Sequence, residues 1–283
     1  MAKPHMEKSA LSALFNPVVE LLPPIPLDVS HLTARDGGVA GGDGAPGVDL
    51  AGKQKLILLC GPGATGKTTF ARWLGEQSIL RDDGNPVVML SMDDSRSLCG
   101  YFAPGGVAAP PAGVSSRTWF EQALTALERS GRSAIADFGG GDRVLLDLAR
   151  EVPGLHLALA ARGITPVVLY FLSSRAEDLS LAAGLEGLGF QPEAVSLVLN
   201  CSRVANPARD FEQIRHQPEY QSLLNRGAIE VWLPKHYAAA AVEHRKQGFV
   251  AVNSALNGFD QYRNERWLKV MQAATARISS WLI

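Results

Sequence analysis

Cysteine is scarce in this 283-residue chain. The three present, at 60, 99 and 201, are too few and too scattered for a disulfide framework or a four-cysteine zinc site, so a reducing compartment is expected. Charge is also sparse: charged residues make up 19%, and 27 Lys and Arg against 28 Asp and Glu leave a formal charge of −1. That balance excludes a protein built mainly to coat nucleic acid, while leaving room for a local basic patch. No uncharged apolar run reaches the roughly 20 residues of a bilayer-spanning helix. The stretch from Val152 to Leu172 comes nearest, and Gly154, His156, Arg162, Gly163 and Pro166 interrupt it. The first residues lack the basic start, continuous apolar stretch and small-residue cleavage site of a signal peptide. A soluble cytoplasmic protein is expected, without a membrane partner. Hydrophobic residues, by contrast, are plentiful at 46%, enough to bury a sizeable core and to exclude wholesale disorder.

Residues 1–52 differ from the rest. Pro17, Pro23, Pro24 and Pro26 are followed by Arg35–Gly47, where six of thirteen residues are glycine, a density that reads as a flexible linker. The apolar piece Leu11–Leu22 before it suits a short helix, either docked on the main domain or simply tethered. From Lys53 short apolar runs alternate with helical stretches, the signature of βαβ units and a parallel sheet. The strands expected are Leu56–Cys60, Val87–Ser91, Ala134–Asp137, Val167–Phe171, Leu197–Asn200 and Ile229–Trp232. Helices are expected over Lys67–Gln77, Ser116–Ser130, Asp142–Glu151, Ala176–Leu188, Pro207–Ile214 and His236–Gln247. The strands lack polar–apolar alternation, as when helices cover both faces. Gly100–Gly113 reads as a loop. Three parts follow: an N-terminal extension (1–52), a nucleotide-binding domain (53–258) and a C-terminal helix (259–283). That last helix, Asp260–Ile283, spaces Trp267, Val270, Met271, Ala274, Ile278 and Trp281 for packing on the sheet, or for a partner or membrane surface.

One motif carries the chemistry. Gly61-Pro-Gly-Ala-Thr-Gly66-Lys67-Thr68 fits G-x-x-x-x-G-K-[ST] and lies between an apolar strand and a helical stretch, where a phosphate-binding loop must lie. Its glycines let backbone N–H groups curl around a phosphate, and the helix adds its positive dipole end. Gly61, Gly63, Ala64, Thr65, Gly66, Lys67, Thr68 and Thr69 are therefore the candidate nucleotide contacts, with Lys67 on the β- and γ-phosphates and the Thr68 hydroxyl on Mg²⁺. Ser133-Ala-Ile-Ala-Asp137 is an apolar strand ending in a carboxylate, the layout of a residue that holds Mg²⁺ directly or through water. Asp137-Phe-Gly-Gly140 also reads D-x-x-G, so the Gly140 N–H can meet a γ-phosphate. Asp93 or Asp94, just past the second strand, can orient a water or a substrate hydroxyl. Asn200, ending the fifth strand, suits an adenine edge or a turn. The N-K-x-D sequence of guanine-specific proteins is absent there, which favours ATP. His31, His156, His216, His236 and His244 share no metal-ligand spacing with a cysteine or one another, so solvent or helix-surface roles are expected in place of zinc.

These residues, in this order from about Lys55 to Ala255, resemble the ParA/MinD group of P-loop ATPases, including the plasmid-stability and conjugal-transfer branches related to ParA. The run Arg226–Pro234 is similar to the strand and proline that follow the base site in that group. The resemblance implies a mostly parallel sheet of seven or eight strands wrapped by helices. It also implies ATP- and Mg²⁺-dependent homodimerisation coupled to slow hydrolysis, stimulated by DNA or a partner protein and used to position or segregate plasmid DNA or another cargo. Asp93 is carried over as the water-orienting residue, with Lys67 and Asp137 beside it as catalytic. Two positions depart from the group. Pro62 stands where its signature lysine reaches across the dimer, and Ser91 stands where its D-x-D begins. A rival resemblance links Ser91-Met-Asp-Asp94-Ser-Arg96 to the S-x-D-x-x-R of several small-molecule P-loop kinases. In that case Asp93 or Asp94 is the base for an acceptor hydroxyl and Arg96 clamps the phosphoryl group, although no arginine-rich lid is evident beyond Arg203 and Arg209. A nucleotide-binding scaffold without turnover is the third possibility.

Overall fold

The computed structural model describes residues 47–81, 86–93, 97–102 and 105–282. Leu11–Leu22, the glycine-rich linker, Asp94 and Arg96 lie outside them. Seven strands are described: β1 (Gln54–Cys60), β2 (Val88–Ser91), β3 (Val107–Ala108), β4 (Ala134–Asp137), β5 (Ile164–Leu172), β6 (Ala194–Asn200) and β7 (Ile229–Leu233). They form one sheet in the order β3-β2-β4-β1-β5-β6-β7, with every pairing parallel. The fold is α/β, a parallel sheet flanked by helices.

Helices cover both faces. α1 (Lys67–Leu80) is followed by α2 (Ser116–Ser130), α3 (Val144–Glu151), α4 (Leu155–Ala160), α5 (Ser180–Gly187), α6 (Pro207–Asp210), α7 (Glu212–Arg215), α8 (Pro218–Asn225), α9 (Ala239–Arg245), α10 (Gly258–Ala274) and α11 (Ser279–Leu282). The odd-numbered residues Ile57, Leu59, Met89 and Ile135 pack with Phe70 and Trp73 of α1 and with Trp267, Met271 and Trp281 of the C-terminal helices. The even-numbered Leu56, Leu58, Leu90 and Ala136 pack on the opposite side with α2, α3, α4, α5 and α8. This two-residue alternation between two buried faces is why the strands read as continuous apolar runs.

The strand order places the site. The chain moves from β1 to β2 on one side of the sheet and enters β5 on the other, so the connections part next to β1. The carboxyl ends of β1 and β4 meet there, the position at which open parallel sheets bind ligands. α1 is held firmly behind it by two charges that the helix buries. The Glu76 carboxylate accepts hydrogen bonds from the backbone N–H groups of Phe249, Val250 and Ala251 at 2.7, 3.0 and 3.3 Å. Arg72 pairs with Glu243, and its guanidinium lies 3.4 Å over the Tyr101 ring.

Several expectations change. Gly100–Gly113 is not purely a loop: Val107 and Ala108 pair with Met89 and Leu90 as a two-residue edge strand, too short to show periodicity. The last helix is not continuous. It stops at Thr275, whose hydroxyl donates to the Met271 carbonyl at 2.9 Å, and a 3-10 turn leads into α11. The packing role of its apolar stripe holds for Trp267, Met271, Ile278 and Trp281, whereas Val270 is exposed. His236 is not a solvated histidine: it stacks on Trp267 at 4.4 Å, and burial pushes it down to about 4. The folded unit also begins before Lys53. The Trp281 indole N–H donates to the Val48 carbonyl at 2.7 Å, and Leu50 is 1% exposed within the α1-side core. Leu50→Ala is accordingly expected to lower stability by about 2–5 kcal/mol, the range for emptying a buried leucine site. Urea unfolding measures it; a change within error would detach residues 47–52 from the core.

Candidate functional site

The P-loop runs from the end of β1 into α1. No side chain caps α1, so its first-turn N–H groups are left for an anion. The loop's shape depends on left-handed backbone at Gly61 (φ 135°), Ala64 (φ 61°) and Gly66 (φ 97°). Glycine is required at both ends: a Cβ on Gly61 would lie 2.2 Å from the Phe171 carbonyl oxygen, and one on Gly66 2.3 Å from Asn200 Nδ2. Ala64 adopts that conformation with a side chain, at the exposed tip of the loop, a strain of the kind found at ligand clamps.

Three side chains make four further bonds that fix the loop. Thr65 Oγ1 donates to the Pro62 carbonyl at 2.8 Å. Lys67 Nζ donates to the Gly61 and Pro62 carbonyls at 2.8 and 2.7 Å, folding its ammonium over the loop. Asn200 Nδ2 donates to the Thr65 carbonyl at 2.7 Å, while its Oδ1 accepts from the Ser202 N–H at 2.9 Å. Asn200 therefore braces the P-loop, a contribution beyond the base contact or turn considered from sequence. Arg203 and Arg209, in the segment that follows it, are exposed.

Asp137, at the end of β4, is brought to α1 because β4 pairs with β1 in the register Leu59↔Asp137. Its Oδ2 accepts a 2.8 Å hydrogen bond from Thr68 Oγ1. Its Oδ1 is buried and has no partner, and the same holds for Ser91 Oγ at the matching position of β2. A carboxylate oxygen with spare lone pairs, next to a threonine hydroxyl, is the hard oxygen donor set that Mg²⁺ takes. The residues present thus fit the ion. Burial pushes the Asp137 carboxyl up to about 6, with the Thr68 hydrogen bond and the Lys67 charge pulling it down and the Asp93 charge adding to the rise. Burial lowers the Lys67 ammonium from its ordinary value, opposed first by Asp137, then by Cys60 and Asp93.

Asp93 thus joins Lys67 and Asp137 electrostatically, and it also lies next to Gly139: a Cβ on that glycine would be 3.4 Å from Asp93 Oδ1. Gly140 is closer still to the loop. A Cβ there would fall 2.3 Å from the Gly63 nitrogen and 2.6 Å from its Cα. The structure therefore gathers Gly61–Thr68, Asp93, Asp137, Gly140 and Asn200 at the carboxyl ends of β1, β2, β4 and β6. Ser91 was not singled out from sequence as a site residue. The signals available were its place at the start of the D-x-D and S-x-D-x-x-R patterns and its closing of the apolar strand Val87–Ser91.

The raised Asp137 value has a consequence for pH. The folded carboxyl sits at about 6 against an ordinary 3.8, so the native state holds an extra proton between those values. The stability this brings is fully present below the lower value and is lost as pH rises through the upper one. Asp137→Asn should flatten that part of the profile in nucleotide-free protein, improving stability at pH 7.5 relative to pH 5 while removing the Mg²⁺ response. Thermal melts at both pH values check it; an unchanged pH slope would count against the buried carboxylate.

Among the described residues no helix is long and apolar enough to cross a membrane. No protein-family model and no curated protein matches the chain. Among solved structures, it is similar to the cell division protein FtsY of Thermotoga maritima at 14% identity with a TM-score of 0.43, covering 67% of this chain and 64% of that one. The chain thus spans less than two thirds of that protein's length.

Proposed function

We propose that the chain is an ATP-binding and -hydrolysing, Mg²⁺-dependent P-loop protein of the ParA/MinD-like type. In it a γ-phosphate-sensitive switch at Asp137–Gly140 governs dimerisation and the positioning or segregation of plasmid DNA or another cargo. The observation that carries the switch is the approach of Gly140 to the P-loop backbone, 2.3 Å from a built Cβ to the Gly63 nitrogen. Backbone this close to the phosphate loop can register whether a third phosphate is bound there.

The residues divide the work as follows. The N–H groups of the loop and of the first turn of α1 cradle the phosphates, and Lys67 exchanges its two loop carbonyls for phosphate oxygens. Thr68 and Asp137 hold Mg²⁺, which when bound neutralises charge developing on the phosphate oxygens. Asp93, beside Gly139, orients the attacking water. ATP is favoured over GTP because Leu197-Val-Leu-Asn200-Cys-Ser-Arg occupies the strand end where N-K-x-D would read guanine. Position 62 is proline, so a dimer would need a cation other than the group's signature lysine between its subunits.

The test is phosphate release and size in solution, with and without ATP·Mg²⁺ and with added plasmid DNA. Nucleotide-dependent dimerisation with slow hydrolysis, faster with DNA or a partner protein, is the expected outcome. Phosphate transfer to an added small-molecule hydroxyl, without dimerisation, would replace this function with that of a kinase.

A further inference from the structure

Among the described residues four buried side-chain polar atoms lack a hydrogen-bond partner: Arg72 Nε, Trp73 Nε1, Ser91 Oγ and Asp137 Oδ1. The first two belong to α1. The last two are a register pair across β2 and β4. Ser91 is 0% exposed and Asp137 1%. Paired residues of parallel strands point to the same face, and residues two apart share a face. Met89 and Ile135, two residues earlier on each strand, both pack with Phe70 and Trp73 of α1. Ser91 and Asp137 therefore project to the α1 side, where Thr68 already holds the other Asp137 oxygen.

We propose that Ser91 is a positioning residue of the Mg²⁺ site: its hydroxyl and Asp137 Oδ1 together hold one water of the ion's coordination shell. The assignment rests on the Mg²⁺-dependent nucleotide site proposed above. Neighbouring strands run about 4.8 Å apart and both side chains are short, so one water on the α1 side is within reach of both unpartnered oxygens. A metal-bound water has two hydrogens to donate. Oδ1 accepts one, and Ser91 Oγ has lone pairs for the other. Mg²⁺ keeps several waters in a strict octahedron, so acceptors that fix those waters fix the ion. A serine does this without setting another negative charge beside Asp137 and Asp93. The alternative is that Ser91 is an idle hydroxyl in the core, which should then cost stability and serve nothing.

The experiment titrates Mg²⁺ against full-length protein bound to a ribose-labelled fluorescent ATP analogue, with Mn²⁺ binding followed by electron paramagnetic resonance as a second readout. Ser91→Ala should need about 10-fold more Mg²⁺ for the half-maximal response, the lower end of the loss seen when outer-shell partners are removed. Its nucleotide affinity in EDTA should be unchanged, and its nucleotide-free form at least as heat-stable as wild type. Ser91→Cys keeps the volume but replaces the hydroxyl with a poor acceptor, so it should behave like the alanine variant. An unchanged Mg²⁺ midpoint in Ser91→Ala, or a wild-type midpoint in Ser91→Cys, overturns the role of the hydroxyl. Absence of any Mg²⁺ dependence in wild type instead removes the nucleotide site on which the assignment rests.

Discussion

Replacing Lys67 by alanine is expected to abolish measurable turnover. The ammonium lies at the centre of the site, donating to the Gly61 and Pro62 carbonyls and balancing the charges of Asp137 and Asp93. A fixed cation aimed at oxygens that gain charge in the transition state contributes about 3 kcal/mol or more in a water-poor site, or about 10²–10³-fold in rate. A second loss adds to this. Without Lys67 its charge no longer opposes burial and the Asp93 charge at Asp137, which shifts further toward its protonated, metal-incompetent form. Phosphate release should therefore fall by at least that factor and the affinity for ATP·Mg²⁺ should weaken with it. Calorimetry with ADP and with ATP separates the two effects. A variant with wild-type turnover and affinity would remove the P-loop assignment altogether.

Much of this was legible in the sequence because the fold repeats a simple rule. Strands covered on both faces need unbroken apolar runs, and Ala134–Asp137 is found at the boundaries its composition implies. α2 matches from Ser116 to Ser130 because both ends are marked: the Ser115 side chain accepts from the Thr118 N–H, and Gly131 closes the helix with φ 66°. β5 starts earlier than expected, at Ile164, and takes in Pro166. At that level β5 has only β1 as neighbour, since pairing with β6 begins at Val167, so the missing proline N–H breaks no ladder on that side.

What escaped was whatever depends on contacts between distant residues. Arg72 and Glu76 lie on α1, where charged residues would be taken for a solvated face. Both are instead buried against the segment around Glu243–Ala251. No spacing rule links residues some 170 positions apart, and the same is true of Asn200 bracing Thr65 and of Trp281 donating to Val48. The candidate site shows the division well. The P-loop, Asp137 and Gly140 form contiguous motifs whose chemistry fixes their order. Ser91, a motif position in the sequence, acquires a role beside Asp137 only once the β2–β4 register pairs the two residues.

Gly140→Val should separate the diphosphate and triphosphate states. The P-loop is the stiffer of the two backbones that meet there, tied by Thr65 to Pro62, by Lys67 to Gly61 and Pro62, and by Asn200 to Thr65. The facing segment Gly139–Gly141 is glycine throughout and half-exposed to exposed, so a side chain at 140 should displace it and leave the loop in place. ADP, which relies on the loop, should then bind within about 3-fold of wild type, a shift below 1 kcal/mol. ATP should lose whatever extra affinity Gly140 provides. A ligand shifts a conformational equilibrium only by its difference in affinity for the two states. Once the γ-phosphate has no such difference to offer, the protein should behave with ATP as it does with ADP. Limited proteolysis with ADP and with a non-hydrolysable ATP analogue reads this directly: wild type should give two cleavage patterns and Gly140→Val one. If wild type gives a single pattern with both nucleotides, or if the variant keeps two, the switch does not reside at Gly140.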